Sequence, residues 1–184
     1  MPPRILIDAN VLYRTRLREL LLAQASTGLV RPLWSVRIIE ECASGLVRNG
    51  ALDGAAREGF ITSLSAPAYI ASGHEALEGT FGLPDPDDEH VLAAAVHAGA
   101  GLILSFNLKD FPVRRLKPLG VRAEMPDSFF LGLLGDRSDS FLDAVEKARA
   151  TIAPDLPQEE HFAMLRRAGI PRTVKRCLQI INDP

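Results

Sequence analysis

Arg4-Ile5-Leu6-Ile7-Asp8-Ala9-Asn10 runs three large aliphatic residues straight into an aspartate. A short apolar run bounded by polar residues reads as a buried strand, and here the acid stands at its C-terminal end. Leu102-Ile103-Leu104-Ser105 repeats the design, followed by the loop Asn107-Leu108-Lys109-Asp110-Phe111-Pro112. Residues 30–34 and 121–123 read as further strands, and Ala68-Tyr69-Ile70 as a brief one. Residues 11–27 carry apolar side chains at helical spacing and stop at Gly28. Ser35 is placed to cap a helix running to Asn49-Gly50. Residues 55–64 and the alanine-rich run 91–98 also read as helices, with a helical turn at 74–78. Asp85-Pro86-Asp87-Asp88-Glu89 supplies the start of the alanine-rich helix, and Gly99 its stop.

Short apolar strands alternating with helices indicate an α/β fold with a central, mostly parallel sheet covered on both faces. Ligands bind such sheets at the carboxyl ends of the strands, where Asp8, Asn107 and Asp110 fall. After residue 126 only helical patterns remain, at 129–134, 138–152, 157–168 and 171–181. The expected organisation is a sheet domain over residues 1–126 and a helical C-terminal extension over 127–184. The extension is expected to pack on that domain or on a partner.

Composition narrows the function classes. The chain has 184 residues, 47% of them hydrophobic and 24% charged, which suits a packed globular protein. No apolar run is long enough to span a bilayer, and the N-terminus lacks a signal-peptide pattern, so a cytoplasmic protein is expected. Cys42 and Cys177 are too few and too far apart for a disulfide framework or a zinc site, and read as buried thiols. A net charge of −2 neither advertises nor excludes a nucleic-acid partner, because catalytic acids offset a basic rim. No serine has the setting of an acyl-transfer nucleophile, and there is no Gly-rich phosphate loop.

The acids carry the chemistry. Asp8 interrupts an apolar strand, as a metal ligand or as a cap for the next helix. Glu41 borders the buried face of its helix, with Glu40 as its competitor. Asp88 opens the alanine-rich helix, where capping would also explain an acid, but three acids within four residues exceed what capping needs. Asp110 is a ligand or a turn residue. Oxygen ligands converging from several elements suit a hard divalent cation such as Mg2+ or Mn2+.

These segments resemble a known family. Residues 5–10 look like the opening strand of PIN domains, the nuclease fold of VapC-type toxins. Ser35 to Glu41 is similar to their second motif, and that register selects Glu41 over Glu40. Asp85 to Ala95 resembles the third, where alignment on the Leu-Ala-Ala-Ala helix selects Asp88. Leu102 to Pro112 resembles the fourth, with Ser105 where Thr is commoner and Asn107 where some relatives have Asp. The match covers residues 4–126.

The resemblance implies a three-layer α/β/α PIN-like fold and a metal-dependent endoribonuclease that hydrolyses RNA phosphodiesters. Asp8, Glu41, Asp88 and Asp110 would hold Mg2+ or Mn2+, with Asn107 completing the catalytic set. It further implies the toxin of a toxin–antitoxin pair, with an antitoxin partner and a homodimeric state. An RNA-processing nuclease without antitoxin, and a catalytically silent scaffold binding RNA or protein, are the alternatives.

Arg14, Arg16, Arg18, Lys109, Arg114, Arg115 and Lys117 are expected at the rim, where they would hold RNA phosphates. The apolar faces of residues 12–22 and 38–46 are candidates for an antitoxin groove or for the core. Trp34, Phe129 and Phe130 read as core, and His90 as a helix-surface histidine.

Overall fold

The computed structural model describes residues 1–66 and 69–182. Strands β1 (Arg4–Ile7), β2 (Arg31–Leu33), β3 (Leu102–Leu104) and β4 (Arg122–Glu124) form one sheet of order β2-β1-β3-β4, with every neighbouring pair parallel. The helices are α1 (Ala9–Leu12), α2 (Thr15–Ser26), α3 (Val36–Arg48), α4 (Arg57–Leu64), α5 (Glu89–His97), α6 (Val113–Leu116), α7 (Pro126–Asp136), α8 (Ser138–Ile152), α9 (Gln158–Arg167) and α10 (Pro171–Asn182). From β1 the chain crosses to β2 on one side, then returns past β1 to β3. Right-handed crossovers in opposite directions put their helices on opposite faces, so α2 and α5 sandwich the sheet. The expected α/β/α fold with a helical C-terminal region is present.

Burial explains the sequence pattern. Ile5, Leu6 and Ile7 are fully buried, as are Ile103 and Leu104. Both inner strands are covered on two sides, which is why they read as continuous apolar runs and not as alternations. Ser35 caps α3 by accepting a hydrogen bond from the Ile38 amide at 3.2 Å. Cys42 and Cys177 are free, buried thiols, pushed by burial to about 11 and about 12. Trp34 and Phe130 are fully buried and Phe129 nearly so.

Three expectations need correction. Residues 11–27 are not one helix: the chain breaks at Arg14, whose ψ is 95°. Arg18 causes the break, because its Nη1 donates to the Leu12 carbonyl at 2.7 Å, the acceptor a continuous helix would offer to Arg16. The apolar faces of residues 12–22 and 38–46 form no open groove. Leu12, Leu17, Leu20, Leu21, Ile38 and Ile39 are all completely buried core residues. The last strand is Arg122–Glu124, one residue later than expected, because the Val121 amide closes the preceding turn on Leu116 O. Of the brief strand at 68–70, Ala68 lies outside the described residues, and Ile70 makes an isolated parallel bridge to Trp34.

The C-terminal helices share the core of the sheet domain. α8 packs along α2, and Phe141, Phe162 and Val174 are buried in the same hydrophobic cluster as the strands. Asp127 of α7 fastens α10: its carboxylate accepts from the Thr173 amide (2.9 Å), Thr173 Oγ1 (2.8 Å), the Arg172 amide (3.1 Å) and Arg172 Nε (3.1 Å). These amides are among the orphan donors that open any helix. Gly169, at φ +107°, turns the chain from α9 into α10, and a Cβ there would come within 2.9 Å of the Phe106 ring. Gly169→Ala is therefore expected to cost about 2 kcal/mol, or about 6 °C in Tm. Thermal denaturation measures this, and an unchanged Tm would mean that this corner is not seated on Phe106.

Candidate metal centre

Because β1 leads on to β2 on one side and β3 leads on to β4 on the other, the crevice between the carboxyl ends of β1 and β3 is the switch point of the sheet. Asp8 follows β1 into it. Its Oδ2 accepts from Ser105 Oγ and from Asn10 Nδ2, each at 2.6 Å. Asn10 is itself fixed, since its Nδ2 also reaches Ser105 Oγ (3.0 Å) and its Oδ1 accepts from the Phe106 amide (3.0 Å). Ser105 Oγ in turn accepts from the Asn107 amide at 2.9 Å. Asp8 is buried, and this network locks its orientation. Burial raises its carboxyl above the ordinary range against the lowering effect of Ser105.

Asp88 stands at the N-cap position of α5 yet makes no capping hydrogen bond. Capping in this segment belongs to Asp85, whose Oδ1 accepts from the Asp87 amide at 3.0 Å. Oxygens of Asp85, Asp88 and Asp110 lie within 4.8 Å of one another. Burial, then repulsion from Asp8, Asp110 and Asp85, pushes Asp88 up to about 6. Asp110 is buried at the end of the β3 loop, and Asn107 Nδ2 donates to its Oδ2. Residues 4–109 match the family described as PIN domain.

The chain belongs to the PIN domain family. It is also 51% identical over 47 residues to a protein of Mycobacterium tuberculosis named "Putative ribonuclease VapC50". That stretch is 26% of this chain and 28% of the relative, so the alignment spans under a third of the relative's length. No solved structure matches the chain.

Within the PIN domain the expected site residues are not equally close to one another. Asp88, Asp110 and the added Asp85 form the tight group. Asp8 acts on Asp88 through its charge, and Glu41 acts similarly on Asp8. Among the described residues neither Asp8 nor Glu41 joins a three-acid group of that span. Glu41 is half-exposed and already partnered, with Oε1 3.3 Å from Arg37 Nε and 3.1 Å from His90 Nε2. Burial would raise its carboxyl, but His90 and Arg37 outweigh it and hold Glu41 below the usual range.

His90 is therefore not a surface histidine. α5 buries every residue from Glu89 to Ala95, so its first turns have no solvent face, and a periodic reading that assumes one goes wrong. Glu89 is equally hidden: its two oxygens accept from the Phe81 amide (3.0 Å) and the Leu83 amide (2.8 Å), tying the preceding loop to the helix. Asn10, Ser105, His90 and Glu89 all lie inside the segments singled out from sequence. Only Asn10 and Ser105 had a local signal, a short polar side chain within three residues of the C-terminal end of an apolar strand.

The basic rim is thinner than expected. Arg18 is buried, its guanidinium carbon 5.2 Å from the Phe60 ring centroid, and burial lowers its pKa. Arg14 stacks on Phe106 at 4.1 Å and donates to Ala168 O at 3.1 Å. Lys109, Arg114, Arg115 and Lys117 are exposed, and Lys109 Nζ lies 3.8 Å from Asp110 Oδ2.

Proposed function

We propose that this chain is a metal-dependent endoribonuclease and the toxin of a toxin–antitoxin pair. On this reading, residues 1–126 carry the catalytic unit and residues 127–184 form a helical extension. The observation that carries the enzymatic reading is the cluster of Asp85, Asp88 and Asp110 at the switch point of a PIN domain, with Asp8 beside it. The relative's name adds the substrate class. The toxin role, its antitoxin partner and a homodimeric state rest on the resemblance of the four motifs to VapC-type proteins. Among the described residues no helix is long and apolar enough to cross a membrane.

The donor set fits Mg2+ or Mn2+. It is all oxygen, and burial together with repulsion from the neighbouring acids keeps Asp88 raised until a cation compensates the charge. Asp85, Asp88 and Asp110 would hold the ion, with Asp8 beside them and Glu41 reaching it on release from Arg37. A bound divalent cation lowers the pKa of water and offsets charge on a phosphodiester during hydrolysis. The chain's own part is positional. Ser105 and Asn10 keep Asp8 in one rotamer, His90 holds Glu41 through Oε1, and Asn107 fixes Asp110 and adds no charge.

The test is cleavage of total cellular RNA by the purified chain with Mn2+ and with a chelator, beside Asp8→Asn. The wild type is expected to cut only with metal, and the variant not to cut. RNA binding without cleavage in either condition, together with no detectable divalent binding, would replace the enzyme with a silent scaffold.

A further inference from the structure

Strand β4 is a free edge of the sheet. Its Arg122 amide donates to Gly101 O and its Glu124 carbonyl accepts from the Ser105 amide, each at 3.1 Å, so both residues turn their backbone toward β3. Alternation along the strand turns the Ala123 amide and carbonyl the opposite way. Among the described residues nothing hydrogen-bonds to either group. Unpaired backbone groups at a sheet edge are a template for another strand.

The same edge borders a groove of 450 Å³ shared with α6. Phe111, Leu116 and Val121 line it as buried residues, Leu108 and Val113 as exposed ones. Val113 is 74% exposed, more than any other large hydrophobic side chain of the described residues except Met1, so covering it would remove apolar surface from water. The charged residues of the lining are Lys117 and Arg122, with no acid among them. Arg122 has one ionic partner, Glu124, at 3.5 Å and on the surface, where such a pair is weak.

These features select the occupant. A second copy of the chain would set Lys117 and Arg122 against their own counterparts, and like charges across a strand pair oppose it. A nucleic-acid strand would find two cations but no ring to stack on, since Phe111 is only 2% exposed. We infer that the β4 edge and its groove dock an extended, acidic segment of a partner protein, in which aliphatic side chains alternate with Asp or Glu. The segment adds to the sheet as a fifth strand and exchanges hydrogen bonds with Ala123. Its aliphatic side chains cover Leu108 and Val113, and its acids meet Lys117 and Arg122. Docking needs neither metal nor RNA, so it holds whether or not the acids cut RNA.

The experiment titrates the full chain with a fluorescent peptide of about eight residues, an ordinary strand length, alternating Glu and Val. Anisotropy is expected to show binding of this peptide and none of its Lys–Val counterpart. Ala123→Pro removes the outward amide and leaves the ladder to β3 whole, because proline is tolerated where an edge N–H faces solvent. It is expected to weaken binding about tenfold, the loss of one hydrogen bond. Val113→Glu, at an exposed site where Tm should not change, is expected to weaken it at least as much. Lys117→Glu combined with Arg122→Glu is expected to reverse the preference, so that the Lys–Val peptide binds and the Glu–Val peptide does not. Equal binding of the two peptides by the wild type, no binding at about 1 mM, or wild-type affinity in Ala123→Pro overturns the docking site. An oligouridylate that displaces the peptide overturns it in favour of a nucleic-acid surface. A wild-type dimer that Val113→Glu converts to a monomer overturns it in favour of a contact between copies.

Discussion

Asp88→Asn is expected to lower RNA cleavage by about three orders of magnitude while making the metal-free protein more stable. Both effects have one cause. Asp88 is raised to about 6 by burial and by the charges of Asp8, Asp110 and Asp85. That crowding is useful only when a cation is present, and without one it opposes folding. The sign of the pH dependence follows. An acid whose folded pKa lies above its unfolded value makes the fold take up a proton. Without metal, stability should therefore rise as the pH falls through 6 toward about 4, opposite to a salt-bridged carboxylate. Asp8, also raised, adds in the same direction. The gain is on the order of 1 kcal/mol, after allowing for solvent screening at a part-exposed site, or about 3 °C in Tm. Thermal melts in chelator at pH 7 and pH 5 read it directly, and Asp88→Asn should flatten the difference. A wild-type Tm that falls from pH 7 to pH 5, or a variant that cleaves within tenfold of wild type, would defeat this account.

Asp127→Ala is expected to cost about 3 kcal/mol, about 9 °C in Tm. The carboxylate takes four hydrogen bonds from Arg172 and Thr173, and alanine would leave the opening amides of α10 without partners in a nearly buried place. Asp127→Asn keeps one acceptor and should cost about half as much. Burial would raise Asp127, but Thr173 and Arg172 outweigh it and hold it below the ordinary range. Its contribution is therefore complete above that range and is lost as the pH falls toward the lowered value, the reverse of Asp88. Denaturant unfolding at pH 7 measures the cost, and a change under about 0.5 kcal/mol for the alanine variant would show that α7 and α10 are held by apolar packing alone.

The fold is legible because its inner strands are covered on both faces, so Ile5-Leu6-Ile7 and Leu102-Ile103-Leu104 can hardly be anything else. Ser35 is equally readable, as capping is local chemistry. The break between α1 and α2 is hidden because Arg18 acts on Leu12 through a side chain that, from sequence, belongs to the solvent. The same failure places Arg18 on the rim and His90 on the surface: a charged or polar side chain is assumed wet. Among the acids, Asp8, Asp88 and Asp110 announce themselves by standing at the ends of apolar strands or a helix. Asp85 escapes notice as a ligand because its capping role is real, yet one of its oxygens still lies with Asp88 and Asp110.

Glu89, which binds the amides of Phe81 and Leu83, closes residues 81–89 into a small ring, with Asp85 and Asp88 on its arc. Ring closure removes loop entropy in advance, as cyclising a peptide ligand does. Two acids that repel one another would otherwise drift apart whenever the cation left. Here the ring keeps them close, with oxygens of Asp85 and Asp88 within 4.8 Å, so on the proposed reading an ion would enter without refolding of the loop. On the proposed metal-dependent reading the centre would be a preset chelator, held by a clasp whose oxygens are taken up by two backbone amides.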